Sequence, residues 1–245
     1  MPIDPSVLVT VVAVFVGAML QRSTGMGFAL VSAPFMILAL GPLEGIVLTN
    51  ICGALTSFFS AYHLRQDFDT ARARWLIPVG LVGCVPGALV VLALPPDWVA
   101  LVVGSIVLVA LVVTARAPGG HMRDTPGLRI LTGLISGFMN TSAGVGGPAI
   151  AVYMRGVGWA RRPFAATATA IFGIQGVAAV LLKWHWPGLD VLGWTLMILA
   201  VLVGIAAGQA LHGRLDDRAA MRVVMILAFT GTILALAKAI WAVAT

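Results

Sequence analysis

Two short polar, glycine-rich segments interrupt apolar sequence, and their residue types are suited to binding an anion. The first is Gln21-Arg22-Ser23-Thr24-Gly25-Met26-Gly27, and the second is Asn140-Thr141-Ser142-Ala143-Gly144-Val145-Gly146-Gly147. Glycine lets backbone N–H groups approach an oxyanion closely, and a helix that restarts after such a break presents unpaired N–H groups and a partial positive charge. Hydroxyl and amide side chains beside the glycines add donors. The chemistry that these segments predict is recognition of a small oxyanion.

The two segments are related by a shift of 119 residues (144 − 25) along the chain. This shift superposes four pairs of residues: Ser23 on Ser142, Gly25 on Gly144, Gly27 on Gly146 and Trp75 on Trp194. Lipid cannot form hydrogen bonds with the backbone N–H and C=O groups that a broken helix leaves unpaired. Such a break is therefore tolerated in a membrane only where protein buries it or where it lines a polar cavity. The repeat therefore predicts a duplicated transporter with one site between the two breaks.

Candidate substrate-binding residues come from both segments and from two later amides: Gln21, Arg22, Ser23, Thr24, Gly25, Gly27, Asn50, Asn140, Thr141, Ser142, Gly144, Gly146, Gly147 and Gln175. Arg22 either adds fixed positive charge to the site or extends to the membrane surface. Asn50 and Gln175 either line the same cavity or link helices through hydrogen bonds. Packing of small residues remains an alternative for both segments.

The composition identifies an integral membrane protein. Hydrophobic residues make up 60% of the 245 and charged residues 10%, whereas about 25% of residues are charged in soluble domains. The net charge of +6 does not indicate a nucleic-acid partner, because the fifteen Lys and Arg lie between apolar runs. The expected partners are the lipid bilayer and a small anion, and a homo-oligomer stays open. No signal-peptide pattern precedes the first apolar segment, so we expect that segment to stay in the membrane.

Ten apolar segments, five in each half, lie near residues 6–22, 25–40, 43–64, 74–94, 98–115, 128–141, 145–157, 164–184, 189–211 and 219–243. The last three of each half have about 18 to 25 residues, enough to cross about 30 Å of hydrocarbon as helices. The first two of each half flank a glycine-rich break. We therefore predict an all-α polytopic membrane protein with 8–10 membrane segments, in which each half is a broken-helix hairpin plus three transmembrane helices. The predicted units are a first repeat over 1–115, a cytoplasmic linker over 116–127 and a second repeat over 128–245.

The basic residues predict the orientation in the membrane. If each hairpin returns to the side from which it enters, twelve arginines fall on one side, Lys183 and Lys238 fall on the other, and Arg22 is unassigned. The positive-inside rule makes the arginine-rich side cytoplasmic and both termini extracytoplasmic in a plasma membrane, the inner membrane of a bacterium. Since each half has an odd number of segments, the repeats are inverted. All seven tryptophans lie at or near segment ends, which predicts interfacial anchors.

Several other functions find no support in the sequence. We find no His-Glu-x-x-His or Gly-x-Ser-x-Gly pattern and no ATP-binding Gly-x4-Gly-Lys-Ser/Thr loop, which disfavours an enzyme or an ATP-driven pump. The four histidines are not spaced as a metal pair, and Cys52 and Cys84 are expected to be buried, inert thiols, so we predict no metal or cofactor. Two Gly-x-x-x-Gly pairs are interpreted as helix packing rather than as part of the site: Gly83, Gly87, Gly204 and Gly208.

The acidic residues bear on the direction of transport. No Asp or Glu falls in the middle of an apolar segment, so the usual carboxylate proton relay is absent. A monovalent anion that leaves a cell gains about 2.3 kcal/mol from an inside-negative potential of about 100 mV. Export therefore needs no coupling ion. A proton-coupled uptake permease, an anion channel and a subunit that needs a partner are the alternatives.

The sequence resembles the TauE/SafE family of membrane transporters, which export sulfite and organosulfonates, over essentially the whole chain. The resemblance rests on the first break with the apolar run and proline after it, Ser23-Thr24-Gly25-Met26-Gly27-Phe28-Ala29-Leu30-Val31-Ser32-Ala33-Pro34, and on Gly144-Val145-Gly146-Gly147-Pro148. Each is followed by a small polar helix start, Val47-Leu48-Thr49-Asn50 and Ala166-Thr167-Ala168-Thr169. Many members have a denser glycine run where this chain has Gln-Arg-Ser-Thr. The resemblance implies movement of sulfur-containing anions such as sulfite or a sulfonate.

Overall fold

The computed structural model describes residues 5–117, 119–120, 122–211 and 217–244, and within them it leaves out the side chains of residues 22–24, 63, 217, 218 and 244. The described residues form ten α-helices and one short 3-10 helix at Arg65–Asp67, and they contain no strand. The helices are α1 Pro5–Thr24, α2 Gly27–Leu40, α3 Pro42–Leu64, α4 Thr70–Ala93, α5 Pro96–Arg116, α6 Pro126–Ala143, α7 Gly147–Val157, α8 Arg161–Lys183, α9 Val191–Leu211 and α10 Asp217–Ala244.

Both hairpins are broken at the predicted glycines. Gly25 separates α1 from α2 with φ at +75°, and Gly144 ends α6 with φ at +72°. A side chain at such a backbone angle is disfavoured, so glycine is the residue that allows each turn. Other helix ends follow ordinary signals: α3, α5 and α6 have proline in the first turn, and the Asp69 side chain accepts a hydrogen bond from Arg72 N–H at the start of α4.

Six helices of the described chain are long and apolar enough to cross a membrane, namely α3, α4, α5, α8, α9 and α10. They are the six spans that the sequence predicts, so the protein is an all-helical, multi-pass membrane protein. The first residues of α3 and α8 are 119 positions apart (161 − 42), and so are their last residues (183 − 64). This is the same shift that relates the two glycine-rich segments. The likeness between the halves therefore extends from the two glycine-rich motifs to the helix boundaries.

Helices of the two halves pack across one another in matching pairs. Helix α4 packs on α6, and its counterpart α9 packs on α1. Helix α5 contacts α7, as α10 contacts α2, and α3 and α8 pack against each other. Each hairpin is therefore covered by helices of the other half. Such reciprocal contacts are what a twofold relation between two repeats predicts.

Glycines make the close contacts between these helix pairs. A Cβ at Gly83 would collide with the backbone oxygen of Leu134, and one at Gly87 would lie 2.6 Å from the oxygen of Phe138. A Cβ at Gly204 would lie 2.6 Å from the oxygen of Phe15. The first two contacts join α4 to α6 and the third joins α9 to α1. The packing interpretation is therefore confirmed for these three glycines.

The expectation that every tryptophan anchors the interface is wrong for Trp159. Its side chain is 6% exposed and packs edge-on against Tyr153 and Phe164. The Arg72 guanidinium carbon lies 4.9 Å from the centre of the Trp159 ring. The indole is buried because Tyr153 of α7, Phe164 of α8 and Arg72 of α4 pack around it. Trp184, by contrast, is 80% exposed.

Candidate functional site

The two breaks meet in the interior of the protein. The side chain of Met26, the residue before α2, lies against Gly147, the first residue of α7: a Cβ at Gly147 would be 3.2 Å from Met26 Cβ. Each break also packs on the third helix of the other half. A Cβ at Gly25 would lie 3.2 Å from Ala165 Cβ, and one at Gly144 would lie 3.0 Å from Thr49 Cγ2. Both breaks are thus enclosed by protein, as irregular backbone at membrane depth requires.

A small cavity lies between the breaks. Its volume is about 20 Å³, which leaves room for about one water molecule. Six of the predicted residues line this cavity: Gln21, Asn50, Asn140, Gly144, Gly146 and Gly147. Residues that sequence reasoning missed complete the wall: Met26, Phe28, Ala29, Thr49, Gly53, Ala54, Ser57, Phe172 and Gly176. The cavity is therefore too small for a multi-atom anion in this structure and must widen before it can hold one. We call it the closed cavity in this sense.

Amide and hydroxyl groups supply donors inside the cavity. Asn140 Nδ2 donates to Asn50 Oδ1 at 3.3 Å, which joins α6 to α3. Asn50 Nδ2 and Ser57 Oγ are buried without a hydrogen-bond partner. Buried polar groups are nearly always paired, and an unpaired donor inside a protein is costly. These two groups are consequently available to a ligand with acceptor oxygens.

The electrostatics of the cavity suit an anion although its described lining carries no formal charge. None of the described residues that line it is charged. Helices α2 and α7 both begin at its wall, and neither N-cap residue, Met26 or Gly146, supplies a side-chain hydrogen bond. Helix N-termini carry partial positive charge and free N–H groups. The two helix starts therefore place partial positive charge at the cavity wall, where the Phe28 N–H of α2 is already bonded to the Gln21 side chain.

Gln21 holds the first break in shape as well as lining the cavity. Its Oε1 accepts a hydrogen bond from Phe28 N–H at 2.9 Å, and its Nε2 donates to Gly25 O at 3.3 Å. The second break is supported from Ser136, whose Oγ lies 3.1 Å from Gly146 O and 3.3 Å from Gln175 Oε1. Gln175 thus lies behind the cavity wall, and its Nε2 is buried without a partner.

Besides Gln175, four predicted residues do not line the cavity. Gly25 and Gly27 form the first turn itself and are buried. Ser142 Oγ donates to Phe138 O at 2.7 Å, within its own helix. The carbonyl of Thr141 accepts a hydrogen bond from Lys183. The side chains of Arg22, Ser23 and Thr24 lie outside the described part of the structure, so their predicted role stays a prediction.

Lys183 is the residue whose surroundings differ most from the sequence interpretation. The sequence predicts a charge at the extracytoplasmic membrane surface, yet Lys183 is 4% exposed and its Nζ donates to Thr141 O at 2.7 Å. The last carbonyls of a helix have no intrahelical partner. Lys183 therefore satisfies the carbonyl of Thr141, which lies in the last turn of α6, three residues before Gly144.

We expect Lys183→Met to destabilise the protein, because it leaves the Thr141 carbonyl buried without a donor. Such an unsatisfied group costs about 1–3 kcal/mol. The measurement is thermal unfolding of purified protein in detergent. Lys238→Met is the matched control, since Lys238 Nζ also donates to a backbone oxygen, that of Leu38, but at an exposed position. Equal effects of the two substitutions would contradict the buried role of Lys183.

A second polar cluster joins the segment before α6 to α4 and α7. Asp124 accepts hydrogen bonds from Arg129 Nε at 2.7 Å and Nη2 at 2.8 Å and from the Tyr153 hydroxyl at 2.6 Å. Arg72 Nη2 lies 2.8 Å from Asp124 Oδ2 and Arg72 Nη1 lies 2.6 Å from Asp69 Oδ2. Paired donors of this kind are stronger than single hydrogen bonds. The cluster therefore fixes the end of the hairpin that lies far from the cavity.

This cluster predicts a pH dependence of stability. The Arg129 hydrogen bonds, with those of Tyr153 and the charge of Arg72, lower the pKa of Asp124 to about 2, from about 3.9 in an unfolded chain. A lowered pKa stabilises the folded state above the unfolded value and loses that effect as pH falls through the folded value. We expect the melting temperature to fall between about pH 4 and about pH 2, and Asp124→Asn to lack this part of the fall. Asp97→Asn, at an exposed residue in the first turn of α5, should keep the wild-type profile.

Comparison with known proteins identifies the family of the chain. The family model described as sulfite exporter TauE/SafE matches residues 9–236, which is nearly the whole chain. Neither the search of curated proteins nor that of solved structures gave a match. The family match covers both helix breaks, the residues that line the cavity between them, five of the six membrane-spanning helices and most of α10. The resemblance seen in the sequence is confirmed, and the chain belongs to the sulfite exporter TauE/SafE family.

Proposed function

We propose that this protein exports a small sulfur-containing oxyanion, sulfite or an organosulfonate, through the cavity between its two helix breaks. The observation that carries the proposal is the meeting of two equivalent breaks at one cavity, whose described lining offers amide, hydroxyl and backbone donors and no charged group. Donors without carboxylates favour an anion over a cation. The membership of the family supports sulfur oxyanions as the class.

The closed cavity and the paired packing of the halves support alternating access. In many secondary transporters two inverted repeats move around a site at their interface, which is formed by broken helices. Here α3 and α8 are one of the helix pairs that join the halves. Asn140 of α6 also donates a hydrogen bond to Asn50 of α3, which links the halves beside the cavity. We therefore propose that 1–115 and 128–245 are inverted repeats that open the cavity to one side of the membrane at a time.

The orientation belongs to the same proposal. Twelve arginines lie on the side of the linker 116–127 under the hairpin topology, which makes that side cytoplasmic. An anion that leaves by this route moves down the inside-negative potential, which supplies about 2.3 kcal/mol per 100 mV. The described lining holds no carboxylate that could carry a proton. Export without a coupling ion follows.

The test is anion flux in proteoliposomes under an imposed potential, with sulfite, an organosulfonate, sulfate and lactate compared. Saturable flux of the sulfite or sulfonate that is driven by the potential alone is the expected result. Flux that needs a proton gradient would replace the proposal with proton-coupled uptake. Flux that does not saturate would indicate a channel, and equal flux of lactate would reject sulfur oxyanions as the preferred class.

A further inference from the structure

A second, larger cavity lies next to the closed one. Its volume is about 640 Å³, which falls within the range of about 300–1,000 Å³ that small-molecule sites occupy. Residues of α2, α5, α7, α8 and α10 line it, so it lies between the two halves. Most of its wall is apolar, including Leu30, Met225 and Phe229. A hydrated small anion fits this volume, whereas the closed cavity has room for about one water molecule.

Three arginines from three helices line this larger cavity. They are Arg155 of α7, Arg161 of α8 and Arg222 of α10, and none of the described residues in its lining is acidic. Arg155 Nη1 donates to the backbone oxygen of Thr114 at 3.0 Å, which fixes that guanidinium at the wall of α5. All three belong to the arginine-rich side of the predicted topology. A concave surface of one charge sign raises the local concentration of the opposite ion.

Met26 separates the two cavities. It is the residue that lines both of them among the described residues, and its side chain is 4% exposed. The neighbouring lining residues divide between the cavities: Gly147 faces the closed one and Pro148 faces the larger one. A Cβ at Gly147 would lie 3.5 Å from Met26 Sδ, so the thioether fills the space where the two breaks meet. Met26 therefore forms part of the wall that the two cavities share, and its side chain is flexible.

We propose that the larger cavity is the cytoplasmic vestibule in which the substrate anion collects, and that Met26 is the gate between this vestibule and the closed site. The inference rests on the proposed export function and adds its route. The three arginines attract the anion to the vestibule, and a change of the Met26 rotamer admits it to the amide donors of Asn50 and Asn140. Methionine suits a gate because it is unbranched and has three rotatable bonds.

Thiol labelling tests the gate without requiring transport. In a background with Cys52→Ala and Cys84→Ala, Met225→Cys places a thiol in the vestibule alone and Ala29→Cys places one in the closed cavity alone. The probe is an anionic methanethiosulfonate added to either face of oriented vesicles. We expect Met225→Cys to react from the cytoplasmic face. Ala29→Cys should react slowly and become about tenfold or more faster with Met26→Ala, because a gate that opens about 1–10% of the time limits access by that fraction.

The control variant is Leu30→Ala, which enlarges the vestibule but does not line the closed cavity. If Leu30→Ala accelerates the labelling of Ala29→Cys as much as Met26→Ala does, the effect is general loosening and Met26 is not the gate. If Met225→Cys reacts only with a neutral, membrane-soluble maleimide, the larger cavity holds lipid and is not a vestibule. Both results stand whether or not sulfite flux is found, so failure of the gate differs from failure of the transport proposal. Gel filtration of each variant shows that it remains folded.

Discussion

Gly144→Ala is expected to abolish sulfite flux while the protein still inserts and folds. Gly144 has φ at +72°, and its Cβ would lie 3.0 Å from Thr49 Cγ2 and 3.2 Å from Thr49 Cβ. An alanine in this left-handed conformation costs about 1–2 kcal/mol. The added methyl group must also displace α3, which carries Asn50. Flux in proteoliposomes at matched protein content is the measurement.

Gly158→Ala is the control that separates the effect of backbone strain from the effect of the close contact between Gly144 and Thr49. Gly158 has φ at +64° and ends α7, but it is exposed and a Cβ there would meet no atom within 4 Å. The substitution therefore carries a similar conformational cost without contact at the site. We expect lower thermal stability in both variants and loss of flux only in Gly144→Ala. Wild-type flux in Gly144→Ala would show that the second break is not part of the transport site.

Asn50→Asp is expected to lower the affinity for the anion strongly with little change in shape. Asp is isosteric with Asn, and Asn140 Nδ2 can still donate to its oxygen as it does to Asn50 Oδ1 at 3.3 Å. The unpaired Nδ2 donor becomes an oxygen that repels the substrate. A like charge at about 4 Å costs about 4 kcal/mol at an effective dielectric constant of about 20, which corresponds to about a thousandfold in affinity. The half-saturating sulfite concentration in the flux assay gives this change.

Gln66→Glu is the control for Asn50→Asp. It makes the same change of one charge at an exposed residue of the 3-10 helix, away from the cavity. Its half-saturating sulfite concentration should stay within about twofold of the wild type, since an exposed charge beyond a Debye length of about 8–10 Å is screened. Equal affinity in Asn50→Asp and the wild type would remove Asn50 from the binding site.

The helices were predictable because membrane insertion leaves little choice. Apolar runs of sufficient length must become helices in lipid, and the glycine-rich breaks mark where they stop. The pairing of α4 with α6 and of α9 with α1 was not predictable, because α4 and α9 are apolar on all sides and periodicity does not select a face. Backbone contacts at Gly83 and Gly204 determine it instead.

The cavity was predicted in part, for a geometric reason. Gly144, Gly146 and Gly147 line it because a break exposes successive residues on one side. Residues within a helix point in directions about 100° apart, so Ser142, two positions after Asn140, turns toward its own helix and bonds Phe138 O. Hydropathy gave no signal for Ser57 or Phe172, because their place at the cavity depends on how α3 and α8 cross.

Lys183 and Trp159 show the same limit. A lysine or tryptophan at the end of an apolar run is typical of a membrane interface. Both are buried here because a different part of the chain covers them: the end of α6 accepts the Lys183 hydrogen bond, and Arg72 of α4 covers the Trp159 ring. These partners lie 42 and 87 residues away in sequence (183 − 141 and 159 − 72). Local pattern does not contain such distant contacts.

The packing of α9 on α1 sets an order for the synthesis of the protein. Helix α1 ends at Thr24 and α9 begins at Val191, so 167 residues (191 − 24) must be added before the first hairpin meets its cover. At about 5–20 residues per second, that interval lasts roughly 8–33 s. During most of it the polar backbone around Gly25 also lacks α8, whose Ala165 packs on this break. The first hairpin is thus the part of the nascent chain that depends longest on the insertion machinery, and arrival of α9 and α10 completes the membrane assembly.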